Sequence, residues 1–352
     1  MPIMSKQIVY KEHGDPSKVL QLEDISLVDT SLQNSDVLVR WLAAPINPSD
    51  MYQIEGNFGT EPKLPAVGGN EGCGIIEKIG HGVSTVRPGD VVIPNGLCGL
   101  GTWRTHGIHN EKYLFKLDDA EGGLCPNIVG NCPLVAASML INPPTAYRML
   151  KEFVDLQRGD YVVQNGANSS VGRYVIQLCR IFGYKSINVI RNRPDVEGLK
   201  RDLNELGADK IYTQDEFVDI ANDELKGVHL ALDCVGGQAG AALTLALEEG
   251  GYFVSYGSMS GAERQKVTRK DIQVKSFAIA KWYNQRGNEK ERRELYAEIG
   301  NLVQSGQLKG PVYTQRKITE FKEAIRASQE KSNTKQIFIL GQCNTSRPMK
   351  SR

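Results

Sequence analysis

The run Gly166-Ala-Asn-Ser-Ser-Val-Gly172 lies between a β-prone stretch, Tyr161 to Gln164, and a helix-spaced apolar series, Tyr174, Val175, Leu178, Ile181 and Phe182, which Gly183 closes. A turn of such small residues lets a pyrophosphate approach the backbone, and the helix start offers free N–H groups and a positive dipole end. This is a dinucleotide site in outline. Asn168, Ser169 and Ser170 stand where G-x-G-x-x-G would more usually carry glycines, so a buried βα unit that binds nothing is the competing reading. The following strand, Ile187 to Ile190, ends in Arg191-Asn-Arg193, where an acidic residue would otherwise hold a ribose 2′-hydroxyl. Two arginines there argue for a 2′-phosphate, and so for NADP(H) over NAD(H), against the alternative of an exposed basic turn before Pro194.

Other reactive groups form no recognisable constellation. Seven cysteines, at 73, 98, 125, 132, 179, 234 and 343, include no C-x-x-C pair and suit free buried thiols in a reducing compartment. The five histidines show no H-E-x-x-H spacing, and His106 and His109 read as loop or strand-surface residues. A formal net charge of +1 with mixed signs argues against nucleic acid and against a membrane surface. No apolar run reaches the roughly 18 residues that span a bilayer, which predicts a soluble protein.

A chain of 352 residues, 40% of them hydrophobic, is most simply two domains. Short strands are expected at Leu20 to Glu23 and Val37 to Arg40. From Asn47 to Pro94 the density of Gly and Pro predicts a β-rich, barrel-like unit containing a strand at Val91 to Ile93. The pattern turns helical at Pro143 to Leu150 and then alternates, with parallel strands expected at Lys210 to Thr213, Leu230 to Cys234 and Gly251 to Ser255. Asn288-Glu-Lys-Glu-Arg-Arg293 reads as a solvated helix face. A last helix, Glu320 to Ser328, and a strand, Gln336 to Leu340, would return to the first domain. The fold class is thus α/β, a doubly wound parallel sheet plus a β-rich barrel-like domain. The expected boundaries are 1–141, completed by 309–352, and 142–308.

That organisation resembles the medium-chain dehydrogenase/reductase superfamily, a resemblance that implies a Rossmann domain for the parallel sheet and a GroES-like domain for the barrel-like unit. Ala44-Pro-Ile-Asn-Pro-Ser-Asp50, Leu64-Pro-Ala-Val-Gly-Gly-Asn-Glu-Gly72, Gly99-Leu-Gly-Thr-Trp-Arg-Thr105, Asn142-Pro-Pro-Thr-Ala-Tyr-Arg-Met-Leu150 and Ser305-Gly-Gln-Leu308 are similar to the mitochondrial trans-2-enoyl-CoA (enoyl-acyl carrier protein) reductases. The resemblance implies hydride transfer from NADPH to C3 of a trans-2-enoyl thioester and protonation at C2. It implies cofactor contacts from Asn142, from Asn168, Ser169, Ser170 and Val171, and from Arg191 and Arg193. Further contacts would come from Tyr256, Gly257, Ser258 and Met259, from Phe277, Ala278 and Ile279, and from Lys335. The alcohol dehydrogenase branch draws a metal ligand from Gly-His-Glu, but this chain has Gly69-Asn-Glu71, so a metal-free enzyme is expected.

Departures from the pattern bear on chemistry. Phe58, in Gly56-Asn-Phe-Gly59, stands where the family has the tyrosine expected to donate a proton, and a phenyl ring has no donor. Tyr52 is a substitute donor or a packing tyrosine, six residues earlier in what reads as an irregular segment. Ser170 replaces an expected glycine, and Ala278 an expected large aromatic. Two other readings stay open: a quinone or alkenal reductase of the same superfamily, and a nucleotide-binding interaction protein that has lost catalysis. The expected partners are an acyl-CoA or acyl carrier protein thioester and a second copy in a homodimer. The family implies mitochondria, but no Arg-rich presequence precedes Lys6 to Tyr10, which leaves the cytoplasm as the alternative.

Overall fold

The structure, a computed structural model, describes residues 2–27, 32–59, 61–118, 133–221, 225–259, 269–330 and 334–341. The chain divides into two compact units. The first comprises Met1–Ile141, Tyr283–Gly306 and Gly310–Arg352, and the second Asn142–Trp282 and Gln307–Lys309.

In the first unit, β1 (Ile3–Tyr10) lies between β2 (Gln21–Leu27) and β4 (Ala66–Val67) in an antiparallel three-stranded sheet. A seven-stranded sheet is built on β3 (Asp36–Pro45), β5 (Cys73–Ile79), β6 (Val91–Pro94), β7 (His106–Asn110) and β8 (Leu114–Asp118). It is completed by β15 (Tyr313–Lys317) and β16 (Lys335–Ile339), with β16 antiparallel to β3. Ile8, Ile46, Trp103, Phe338 and Ile325 share one core, and Val37, Val39, Trp41, Ile76 and Val92 another. Trp103 leaves no room beside it: a Cβ on Gly68 would lie 2.4 Å from its Cε3 atom, so only glycine lets the chain pass. Two expectations change here. Tyr52 belongs to a helix, Pro48–Ile54, because Pro48 takes the first helical turn, where its missing N–H costs nothing. His109 is buried on β7, where its Nε2 accepts from Trp41 Nε1.

The second unit holds six parallel strands: β9 (Tyr161–Asn165), β10 (Lys185–Ile190), β11 (Lys210–Thr213), β12 (Val228–Asp233), β13 (Tyr252–Ser255) and β14 (Gln273–Ser276). Their order is β11-β10-β9-β12-β13-β14, so the winding direction reverses between β9 and β12. In such sheets ligands bind outside the carboxyl ends of the strands at that reversal. The central strands β9, β10 and β12 are almost wholly buried, as expected where helices cover both faces.

The division differs from the expected boundaries at Tyr283–Gly306, which packs with the first unit. The Glu289–Gln304 helix sets Tyr296 against Phe115 of β8, ring centroids 5.0 Å apart, and the Tyr283 hydroxyl donates to Leu140 O. Among the described cysteines, Cys73, Cys179 and Cys234 are buried and in no disulfide, whereas Cys98 is exposed; Cys125, Cys132 and Cys343 lie outside the described residues.

Candidate functional site

In the second unit the small-residue turn leaves β9 and enters the helix Ser170–Phe182. Ser169 caps that helix, its Oγ accepting from Gly172 N at 3.1 Å. Gly166 has φ +57°, and a Cβ there would meet Cys234 Sγ at 2.4 Å, so the turn needs glycine on two counts. Asn168, Ser169, Ser170 and Val171 are half-buried. Below the turn, Gln164 Nε2 donates to Gly172 O at 3.0 Å and to Asn188 Oδ1 at 2.8 Å, which fixes the height of the helix start over β9 and β10. Buried Arg173 donates from Nε to Asn168 O and pairs with Asp202 through Nη2.

The ends of β9 and β12 are tied together. Asn165 Nδ2 donates to Asp233 Oδ1 at 2.6 Å, and Asn165 Oδ1 accepts from Cys234 N at 2.9 Å. The segment after β13 joins the same place: Tyr256 N donates to Asp233 O and Met259 N to Cys234 O. The Tyr256 phenol lies beside Cys234 and Ser169, and burial holds its pKa well above the usual range. The strand-end reversal therefore gathers Ser169, Tyr256, Gly257, Ser258 and Met259 around the turn.

Arg191 and Arg193 follow directly on β10, Arg191 exposed and Arg193 half-buried. Desolvation, and then the charge of Arg191, lower the pKa of Arg193. A doubly charged anion would relieve that repulsion, as a 2′-phosphate would. Phe277 is buried, its N–H donating to Ser255 O and its ring set edge-on to Phe153. Ile279 is buried too, so Ala278 is the exposed member of the trio. Asn142 is buried at the start of the helix Asn142–Glu152. The small loop, the capped helix start and the two arginines fit a phosphorylated dinucleotide.

The first unit carries the remaining candidates. Phe58 is half-buried just beyond the Pro48–Ile54 helix, whereas Tyr52 on that helix is 41% exposed. The same helix buries Asp50 and Gln53 in a polar cluster that the sequence reading did not assemble. Asp50 Oδ2 accepts from Asn47 N, and Asp50 Oδ1 accepts from both Asn70 N and Asn70 Nδ2. Asn70 Nδ2 also donates to Gln53 Oε1 at 2.8 Å, and Asn70 Oδ1 accepts from Gly99 N. Glu71 accepts from Asn47 Nδ2 at 2.8 Å and from Ile141 N at 2.7 Å, one on each oxygen. Lys335 is 9% exposed, and its Nζ donates to Asn47 Oδ1 and Ile46 O. Burial raises the pKa of Asp50, pushes Glu71 up to about 7 and lowers Lys335; the Lys335 charge opposes the rise at both carboxyls.

A metal does not fit this cluster. Asn70 presents an amide where the alcohol dehydrogenase pattern has an imidazole, and both Asp50 oxygens already accept N–H donors. Among the described residues no group of three or more His, Cys, Asp or Glu could hold a metal ion, and no helix is long and apolar enough to cross a membrane.

Comparison with known proteins is extensive. The alcohol dehydrogenase GroES-like domain family matches residues 33–129, and the zinc-binding dehydrogenase family matches residues 206–334. The zinc of the latter name has no suitable donor set in the cluster just described. A mitochondrial enoyl-[acyl-carrier-protein] reductase of Caenorhabditis elegans is 41% identical over 340 residues, spanning 96% of this chain and 95% of the relative. The Etr1p/NADP/crotonyl-CoA complex matches with a TM-score of 0.83 at 28% identity, over 96% of this chain and 100% of that one. The mitochondrial 2-enoyl thioester reductase Etr1p/Etr2p heterodimer of Candida tropicalis matches with a TM-score of 0.82 at 29% identity, with the same coverage. The chain belongs to the mitochondrial enoyl-[acyl-carrier-protein] reductase family of the medium-chain dehydrogenase/reductase superfamily.

Proposed function

We propose that this chain is a mitochondrial oxidoreductase that reduces trans-2-enoyl thioesters with NADPH in fatty acid synthesis. The observation that carries the reading is the pair Arg191 and Arg193 at the end of β10, beside a capped helix start, within a chain of this family. Bound NADPH supplies a hydride to C3 of the enoyl group; the two π electrons become the C2–H bond when a proton is added. Ser170 and Val171 receive the pyrophosphate on first-turn N–H groups that have no intrahelical partner, while Ser169 caps the turn and donates its own N–H to Gly166 O. Arg191 and Arg193 clamp the 2′-phosphate and exclude NADH by leaving two cations close together when it is absent. Asn142 and the Phe277 to Ile279 segment attend the nicotinamide end, with Ala278 leaving space where a larger side chain would stand. Lys335, a further cofactor contact by resemblance, also holds Asn47 through its ammonium.

Phe58 contributes shape without a proton, so C2 is protonated by water or by Tyr52. The acyl carrier is coenzyme A or acyl carrier protein. The partner subunit is a second copy of the chain: β14 is an exposed edge strand, with Val274 52% exposed, and it can extend the six-stranded sheet. The test is NADPH oxidation with a medium-chain trans-2-enoyl-CoA, set beside a quinone. Turnover of the thioester supports the reading. Turnover of the quinone alone gives the chain to the other reductase class, and NADPH binding without any turnover gives it to the interaction class.

A further inference from the structure

The chain leaves the first unit after Ile141 and re-enters it at Tyr283, and these two crossing points are tied together. The Tyr283 hydroxyl donates to Leu140 O at 2.6 Å. On the other side of the same peptide group, Ile141 N donates to Glu71 Oε1 at 2.7 Å. Because the Tyr283 proton is spent on Leu140, the 2.8 Å contact between the Tyr283 and Tyr296 hydroxyls must run from Tyr296 to Tyr283. Arg292 lies against the Tyr296 hydroxyl, its guanidinium 4.8 Å from the Tyr283 ring centroid and 5.0 Å from that of Phe115. It is 5% exposed, and no described carboxylate pairs with it. Donors thus line up from Tyr296, through Tyr283 and one peptide, to the buried side chain of Glu71. Hydrogen bonds in such a series polarise one another, and a peptide held at both ends cannot tilt.

We infer that Tyr283 and Glu71 are positioning residues for the reduction: gripping opposite ends of the Leu140–Ile141 peptide, they fix the point from which the chain delivers Asn142. This rests on the reading of Asn142 as a contact of the nicotinamide end. Among the described residues no carboxylate lies beside Arg292, and its guanidinium packs instead on the rings of Tyr283 and Phe115. The grip also separates two jobs. The adenine end of the cofactor depends on Arg191 and Arg193, and the reactive end on the crossing.

The experiment compares the full chain with Tyr283→Phe, which keeps the ring over Arg292 and removes the hydroxyl. We expect kcat with an enoyl-CoA to fall about tenfold, since small misplacements at a reacting centre are expensive. Adenosine 2′,5′-bisphosphate, the probe for the adenine end, keeps its Kd within twofold, and the fluorescence of bound NADPH shifts toward that of the free nucleotide. Tyr296→Phe leaves the bond to Leu140 but removes the donor behind it; it gives a smaller change of the same kind and decides the matter if Tyr283→Phe does not fold. Unchanged kcat and unchanged bound-NADPH fluorescence overturn the inference, as does a parallel loss of adenosine bisphosphate affinity. If the natural chain binds NADPH but reduces no enoyl thioester, the functional reading falls while the fluorescence comparison still decides the grip. If it binds no NADPH, both fall.

Discussion

Asn70 donates both its backbone N–H and its side-chain amide to one oxygen of Asp50, each at 3.0 Å. A fully buried carboxylate is expensive unless donors surround it, and here amides do that work. Asn70→Leu would remove the Nδ2 donor from both Asp50 and Gln53 Oε1, leaving Asp50 the two backbone N–H groups of positions 47 and 70. We expect a loss of about 2 kcal/mol in urea unfolding, the cost of taking one side-chain donor from two buried acceptors. Asn70→His tests the same point from the metal side: with Gln53 and Asp50 as its neighbours, added zinc should not raise the Tm.

Phe58 sets a limit on rate. Restoring the hydroxyl with Phe58→Tyr should raise kcat for a trans-2-enoyl-CoA by about 100-fold, within the usual contribution of a positioned acid. Tyr52→Phe in the natural chain separates the two proton sources: a large further loss assigns the proton to Tyr52, and no change assigns it to water. Quinone reduction, less dependent on a positioned acid, should respond little to either change.

Arg191 and Arg193 carry coenzyme choice. Replacing either by alanine should weaken NADPH binding by about 10- to 100-fold, the worth of charged hydrogen bonds to a phosphate, with little effect on NADH. Raising the salt concentration should weaken NADPH binding less in the variants than in the natural chain. Titration of nucleotide fluorescence reads both effects.

Glu71 makes stability depend on pH. Its carboxyl is raised from 4.5 to about 7 in the fold, chiefly by burial. Between those values the native chain holds a proton that the unfolded chain has lost, so the contribution is complete below about pH 4.5 and gone above about pH 7. Asp50, also raised, has the same sign. Lys335, lowered by burial, acts with the opposite sign. The Tm should therefore fall as pH rises from about 5 to about 7, and Glu71→Gln should flatten that slope in a calorimetric series.

The nucleotide unit was legible because its signals are local. A strand, a small turn, a capped helix and a closing Gly183 lie within one short stretch, and buried parallel strands read as unbroken apolar runs. Arg191 and Arg193 were placed by their distance from the turn, their position at a strand end and the sign of their charge. Arg292 was not legible: among Asn288-Glu-Lys-Glu-Arg-Arg293 it looks solvated, and it is the rings of Tyr283 and of Phe115, the latter far away in sequence, that cover it. The helix at Pro48 was missed because proline reads as a breaker, although Asn47 and Asp50 have the spacing of a helix start. The Tyr283 to Leu140 bond joins residues 143 positions apart, and no periodicity reports such a pairing.

The position of β16 in the first unit sets an order of events. Every residue of the second unit, through Lys309, emerges from the ribosome before Lys335 and β16 do. The nucleotide half can fold while β3 still waits for its neighbour and Asp50 and Glu71 still lack their cation. The half that would hold the substrate is the last to close, so a growing chain can bind coenzyme before it can use it.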